Sequence, residues 1–216
     1  MGQISETTRR QGRCVILGGA PTNDSMLKLL HPDDFIVAAD AGWQTARRWK
    51  RPVQLAVGDW DSAPRPQMNC QVIDLPVEKD DTDTHFAAQL AQEHGFAEVL
   101  ILGGSGGRLD HTLANFSTLL YLAQAGIKAW MADQDFCAWA LWQNQLEIKR
   151  TENSYLSVFP WGGPAFGVTL SGVKYPLQKA QLSQSFPLGV SNEILSDHAE
   201  IEVLRGGLLI LCTHKT

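Results

Sequence analysis

An α/β domain with a mainly parallel sheet, followed by a smaller all-β, sandwich-like domain, is the fold class that three features of this chain predict. Over roughly the first 130 residues, apolar runs alternate with helical patterns, the texture of a parallel sheet covered on both faces. Several of those runs end in Asp or Gly, and open α/β sheets bind ligands outside the carboxyl ends of their strands. Past Asp133 the texture changes to short β-type runs broken by Gly, Pro, Asn and Ser. The expected domains are residues 1–133 and 134–216.

Taken in order, the predicted strands of the first part are CVILGG (14–19), FIVAAD (35–40), QLAVGD (54–59), QVIDLP (71–76), EVLILGG (98–104) and KAWMAD (128–133). Two intervening helices are legible. One runs from about Thr82 to His94, with Phe86 and Leu90 a turn apart and Gly95 as its stop. The other begins near Asp110, carries Leu113, Phe116 and Leu120 on one stripe and ends at Gly126. In the second part, YLSVFPW, GVTLSG, YPLQKAQL, AEIEVL and GLLILC read as short strands.

Bulk properties narrow the function. A formal charge of −5 over 216 residues argues against a general nucleic-acid or anionic-membrane binder, which relies on dense Lys and Arg, and directs attention to small ligands. No apolar run reaches the roughly 18 residues of a membrane span, and the opening MGQISETTRRQGRC has neither a signal core nor, with Glu6, a myristoylation pattern. A cytoplasmic location is expected. Cys14, Cys70, Cys137 and Cys212 are widely scattered, without the paired spacing of a zinc or redox site, and read as buried or incidental thiols.

Three segments carry chemistry. In AVGDWDSAP, Asp59 and Asp61 flank Trp60 where a strand ends. Two carboxylates about 4 Å apart repel by about 4 kcal/mol at an effective dielectric near 20, so either a cation lies between them or they splay into water. If extended geometry persists through Trp60, both face one point, because positions i and i+2 of a strand share a side. In EKDDTDTHF, Asp80, Asp81 and Asp83 open a helix; capping accounts for one or two, and the spacing of Asp80 and Asp83 lets them share one side of the first turn. The third segment is ILGGSGGRLDHTLANF. Its glycines let a backbone approach a phosphate, Arg108 can grip one with its planar fork, and Asp110 can orient Arg108 or His111. His111 itself reads as an exposed helix-start histidine ahead of any role as a base. Carboxylates beside a polyphosphate require a bridging cation, and Mg²⁺, which takes a few carboxylates with phosphate oxygens and water, fits.

At this point the order AADAGW, LAVGDWDSAP, EKDDTDTHFA and LGGSGGRLDHTLANF, with SGVKYPL and GVSNEI downstream, resembles the thiamin pyrophosphokinase family from Asp40 to Asn192. The resemblance implies transfer of a diphosphate from ATP to the hydroxyethyl oxygen of thiamin, an α/β domain before a β-sandwich, and a homodimer with thiamin at the subunit interface. It implies that Asp59, Asp61, Asp80 and Asp83 serve Mg²⁺ and the phosphates. Thr84, Gly104, Ser105, Gly106, Gly107, Arg108, Asp110 and His111 would surround ATP, Asp40 would sit near the attacking hydroxyl, and Ser191, Asn192 and Tyr175 would meet thiamin. Two departures stand out: Asp40-Ala41-Gly42 puts a Cβ at a turn where the family has glycine, and Gly189-Val190-Ser191-Asn192 replaces a hydroxyl-rich run. Competing readings are pyrophosphoryl transfer to a pterin alcohol, a Mg²⁺-dependent nucleotide phosphohydrolase and a nucleotide-sensing module.

Overall fold

The computed structural model describes residues 10–61, 63–78 and 80–215. Most of the N-terminal stretch and the motif residues Ser62 and Lys79 lie outside them. The chain divides into two compact units, residues 1–118 with 125–134, and residues 119–124 with 135–216.

The first unit is built on six parallel strands: β1 (Arg10–Leu17), β2 (Phe35–Ala39), β3 (Leu55–Gly58), β4 (Gln71–Asp74), β5 (Phe96–Leu102) and β6 (Lys128–Ala132). Their order is β4-β3-β2-β1-β5-β6. The chain steps outward from β1 to β4 and then returns to the other side of β1, so the switch in direction lies between β1 and β5. The central runs are fully buried: Cys14, Val15 and Ile16 on β1 and Val99, Leu100 and Ile101 on β5 are all at 0% exposure, as two-sided coverage demands.

Among the described residues the α-helices are α1 (Gly42–Arg48), α2 (Asp83–Glu93) and α3 (Leu109–Gln124), the last belonging to the first unit only as far as Thr118. Helix α1 has no apolar period long enough to announce it, and the sequence reading passes over it. The packed face of α2 is Ala87, Ala88 and Ala91, while Phe86 is only half-buried. The expected Phe86/Leu90 stripe is therefore a flank: small side chains bring this helix close to the sheet. On α3, Phe116 and Leu120 are buried as expected, but Leu113 is 44% exposed, one turn too early for the core.

The second unit is antiparallel. Strands β7 (Phe136–Trp142), β8 (Gln145–Lys149), β9 (Ser154–Ser171), β10 (Leu177–Leu182), β11 (His198–Glu202) and β12 (Arg205–His214) run in the order β7-β12-β9-β11-β8, with β10 also on β9. The runs YLSVFPW and GVTLSG, expected as separate strands, are two halves of β9. Its first half pairs with β12 and its second with β10 and β11. One core, including Leu156, Val158, Val168, Leu170, Ile201 and Ile210, draws on both halves, which gives the sandwich-like character. Strands β7 and β8 have no counterpart among the predicted strands.

Among the described residues, no helix is long and apolar enough to cross a membrane.

Candidate active site

A cleft of about 470 Å³ opens in the first unit at the carboxyl ends of β1, β2, β3 and β5. Its position follows from topology. At the switch point, Gly18 donates to the carbonyl of Leu102 at 2.7 Å, and beyond it the loops after β1 and β5 part to either side.

From β2, Asp40 enters the cleft at φ +48°, its N–H bonded to the Val57 carbonyl at 2.8 Å. Ala41, the departure from the expected glycine, sits at φ −63° as the cap of α1, where a Cβ is at ease. The position that demands glycine is Gly42, because a Cβ there would lie 1.8 Å from the Leu17 carbonyl oxygen.

From β3, Asp59 and Asp61 both line the cleft, but not by strand alternation. Trp60 has φ +62°, so extended geometry ends there. Asp59 Oδ1 accepts the Asp61 N–H at 3.2 Å, a local turn that returns the second carboxylate to the side of the first. The strained residue is anchored through its indole, which donates to Asp74 at 2.8 Å. Arg65 grips Asp74 at 2.7 and 3.0 Å and, with the indole bond, holds its pKa down at about 2.

The loop into α2 differs from expectation in one residue. Thr82 is the cap, its hydroxyl accepting the His85 N–H at 3.1 Å, and the helix proper starts at Asp83. Asp80 therefore precedes the helix and cannot share its first-turn face with Asp83. It is exposed and does not border the cleft, whereas Asp81, Thr82, Asp83 and Thr84 do. Asp81 accepts a bond from Gln89 at 3.1 Å.

Opposite these acids lies the loop after β5. Gly104, Gly106, Gly107 and Arg108 line the cleft, together with His111 and Asn115 on α3. Gly106 and Gly107 have φ +91° and +82°, with open space where a Cβ would be; backbone conformation selects glycine there. The loop is pinned from behind. Asn115, 5% exposed, donates from Nδ2 to the Gly104 carbonyl at 2.7 Å, and the hydroxyl of buried Ser105 is hydrogen-bonded to Asp133. Ser105 is thus an anchor and not part of the lining. Arg108 and Asp110 form an exposed forked pair at 3.2 and 2.5 Å, which raises the arginine's pKa and holds Asp110 at about 2.

Asn115 was missed, although its place one turn after His111 was a usable signal. Gly19 and Gly103, within the strand-end glycines expected near a ligand, also line the cleft, together with Ala20.

Among the described residues, no three Asp, Glu, His or Cys groups converge to hold an ion by themselves. The donors bordering the cleft are nonetheless hard oxygens. That set suits Mg²⁺, which ordinarily takes one or two carboxylates and completes its shell with phosphate oxygens and water.

In the second unit, Asn192 is buried and clamps Tyr175: its Oδ1 accepts the Tyr175 N–H at 3.0 Å and its Nδ2 donates to the Tyr175 carbonyl at 2.8 Å. Ser191 is exposed at φ +59°, its N–H donating to Ser157 Oγ at 3.0 Å. Tyr175 is 59% exposed. These three residues form one local structure in which Asn192 supports and the other two face outward.

Residues 26–131 match the family profile described as the thiamin pyrophosphokinase catalytic domain, and residues 143–208 match that of the thiamin pyrophosphokinase vitamin B1 binding domain. The thiamine pyrophosphokinase of Bacillus subtilis (strain 168) is 30% identical over 135 residues, 62% of this chain and 63% of that protein, so the alignment spans less than two thirds of that relative. The crystal structure of thiamine pyrophosphokinase from Bacillus subtilis shares the fold with a TM-score of 0.86 and 24% identity over 94% of this chain and 100% of that one. The structure of thiamin pyrophosphokinase from Geobacillus thermodenitrificans gives 0.82 and 25% over 94% and 98%.

Proposed function

Since this chain belongs to the thiamin pyrophosphokinase family, we propose that it transfers the diphosphate group of ATP to the hydroxyl of thiamin, releasing thiamin diphosphate and AMP. The observation that carries this reading is the facing of Asp59, Asp61 and Asp83 with a glycine loop and Arg108 across one cleft.

In this reaction the thiamin oxygen bonds to the β-phosphorus and gives up its hydroxyl proton to solvent, the bond from that phosphorus to the α–β bridging oxygen breaks, and AMP departs with that oxygen. In-line positioning and neutralisation of spreading negative charge matter more here than a strong base. The N–H groups of the loop from Gly104 to Gly107 cradle phosphate, and the Arg108 fork holds its oxygens. Asp110 keeps that fork oriented, and Thr84 and His111 border the nucleotide. Asp59, Asp61 and Asp83, which border the cleft with Asp81, would serve Mg²⁺ and the phosphates, one or two carboxylates on the ion with phosphate oxygens and water completing its shell. When bound, that ion supplies electrostatic stabilisation commonly amounting to several kcal/mol. Asp40 stands near the attacking hydroxyl.

Thiamin is met by Ser191 and Tyr175, with Asn192 clamping the Tyr175 backbone, in the stretch matching the vitamin B1 binding profile. The working form is a cytoplasmic homodimer with thiamin at the subunit interface.

Incubation of the purified protein with ATP and Mg²⁺, with and without thiamin, tests the proposal by chromatography. Thiamin-dependent AMP matched by thiamin diphosphate is expected. Phosphate or AMP release indifferent to thiamin would reject it in favour of a hydrolase, and AMP formation only with a pterin alcohol would move the acceptor.

A further inference from the structure

Cys137 and Cys212, far apart in sequence, are directly opposite one another on the antiparallel strands β7 and β12, between the pairs Phe136–Thr213 and Ala138–Leu211. We propose that these two thiols form a dithiol–disulfide couple, a modification site that closes on exchange with a small-molecule disulfide and reopens on reduction. The inference stands apart from the proposed activity.

Geometry carries it. Directly opposite residues of an antiparallel pair have Cα atoms about 4.5 or 5.5 Å apart, depending on whether they exchange hydrogen bonds, and both values fall within the disulfide window of about 4.4–6.8 Å. Their side chains leave the same face of the ladder, with Cβ atoms about 4.5–5.5 Å apart. Closure asks them to draw in to about 3.5–4.5 Å, a local adjustment of two neighbouring strands.

Surroundings set access and rate. The next pair of residues on this face, Trp139 on β7 and Ile210 on β12, belongs to the unit's apolar cluster, and Cys212 packs against that cluster. Both residues are half-buried, one pair in from the Phe136–Thr213 end of the β7–β12 ladder. Burial, and after it the charge of Cys137, pushes the Cys212 thiol up to about 11. Cys14, by contrast, is fully enclosed on β1 and pushed up to about 12.

The exchange balances. The Cys137 thiolate attacks one sulfur of a disulfide such as oxidised glutathione; the reagent's S–S bond breaks, one glutathione leaves as thiolate and takes up a proton, and a mixed disulfide remains. Cys212, having lost its proton to solvent, attacks the Cys137 sulfur and expels the second glutathione. Two protein thiols are oxidised and one reagent disulfide is reduced to two thiols. Because the reacting species is the thiolate, closure accelerates as pH rises toward the Cys212 pKa. The product staples the first strand of the second unit to its last, constraining the unfolded chain.

The test treats the purified protein with oxidised glutathione at neutral and at alkaline pH, followed by acid quench, intact mass and non-reducing peptide mapping. Expected are a peptide joining Cys137 to Cys212, a loss of two hydrogens with no glutathione retained on either, faster closure at alkaline pH, a raised denaturation midpoint, and reversal by dithiothreitol. Cys212→Ser should retain glutathione on Cys137, and Cys137→Ser serves as the reciprocal variant if the first does not fold. Wild-type protein that retains glutathione on either thiol would overturn the proposal. So would a pair that reacts only after unfolding in urea, or bridges that join Cys137 or Cys212 to Cys70 or to another chain.

Discussion

Asn115 donates a 2.7 Å hydrogen bond to the carbonyl of Gly104, so a buried side chain on α3 holds the glycine loop in the wall of the cleft. Removing the donor leaves a buried carbonyl unsatisfied, at a cost of about 1–3 kcal/mol. Asn115→Leu is expected to lower stability by that amount and to raise KM for ATP more than KM for thiamin. Chemical denaturation and steady-state kinetics check the two effects separately.

Asp61 is exposed on a turn and borders the cleft; under the proposed function its carboxylate serves Mg²⁺ and the phosphates and not folding. Asp61→Asn should lower kcat by about a hundredfold or more, in line with loss of several kcal/mol of electrostatic stabilisation, and leave the denaturation midpoint nearly unchanged. Normal turnover in the folded variant at ordinary magnesium would sink the metal assignment.

Gly42 and Ala41 make a contrasting pair. A Cβ on Gly42 would meet the Leu17 carbonyl oxygen at 1.8 Å, so Gly42→Ala must displace β1 from α1 and should cost about 3 kcal/mol or fail to fold. Ala41 already has φ −63°, and Ala41→Gly should cost no more than about 1 kcal/mol. Thermal or urea denaturation of the two variants side by side distinguishes them.

Hydrogen bonds from Arg108, more than any other influence, hold Asp110 at about 2. A carboxylate with a depressed folded pKa contributes to folding fully above its unfolded pKa of about 3.9 and loses that contribution as pH falls through the folded value. The contribution of the Arg108–Asp110 fork to folding should therefore be full above about pH 4 and decline between about 4 and 2, while the fork itself persists in the folded protein until pH falls through about 2. Arg108→Ala should return the Asp110 titration toward about 3.9, read by carboxyl NMR.

Much of the first unit was legible because its strands are buried on both faces and announce themselves as continuous apolar runs. The acids were legible as types and less so as positions. Nothing in GDWDSAP says that Trp60 takes a left-handed conformation; that follows from Asp59 receiving the Asp61 N–H and Asp74 receiving the indole, the latter a partner from another strand. Asp80, expected to share a helical face with Asp83, precedes the Thr82 cap, and the cleft is bordered there by Asp81 and Asp83. Ser105 looked like part of a phosphate loop by its glycine neighbours, while its hydroxyl belongs to Asp133 at the end of β6.

By itself the sequence determined the alternation that makes a parallel sheet, the strand ends where acids and glycines gather, and the change of texture after Asp133. Those are local properties, set by side-chain polarity and spacing. Only the tertiary structure decided which strand ends share one cleft, that α2 packs through alanines, that one long strand serves both halves of the β unit, and that Cys137 faces Cys212. Each of these depends on pairing between segments distant in the chain, and period and composition carry no information about which distant segment a strand or side chain will meet.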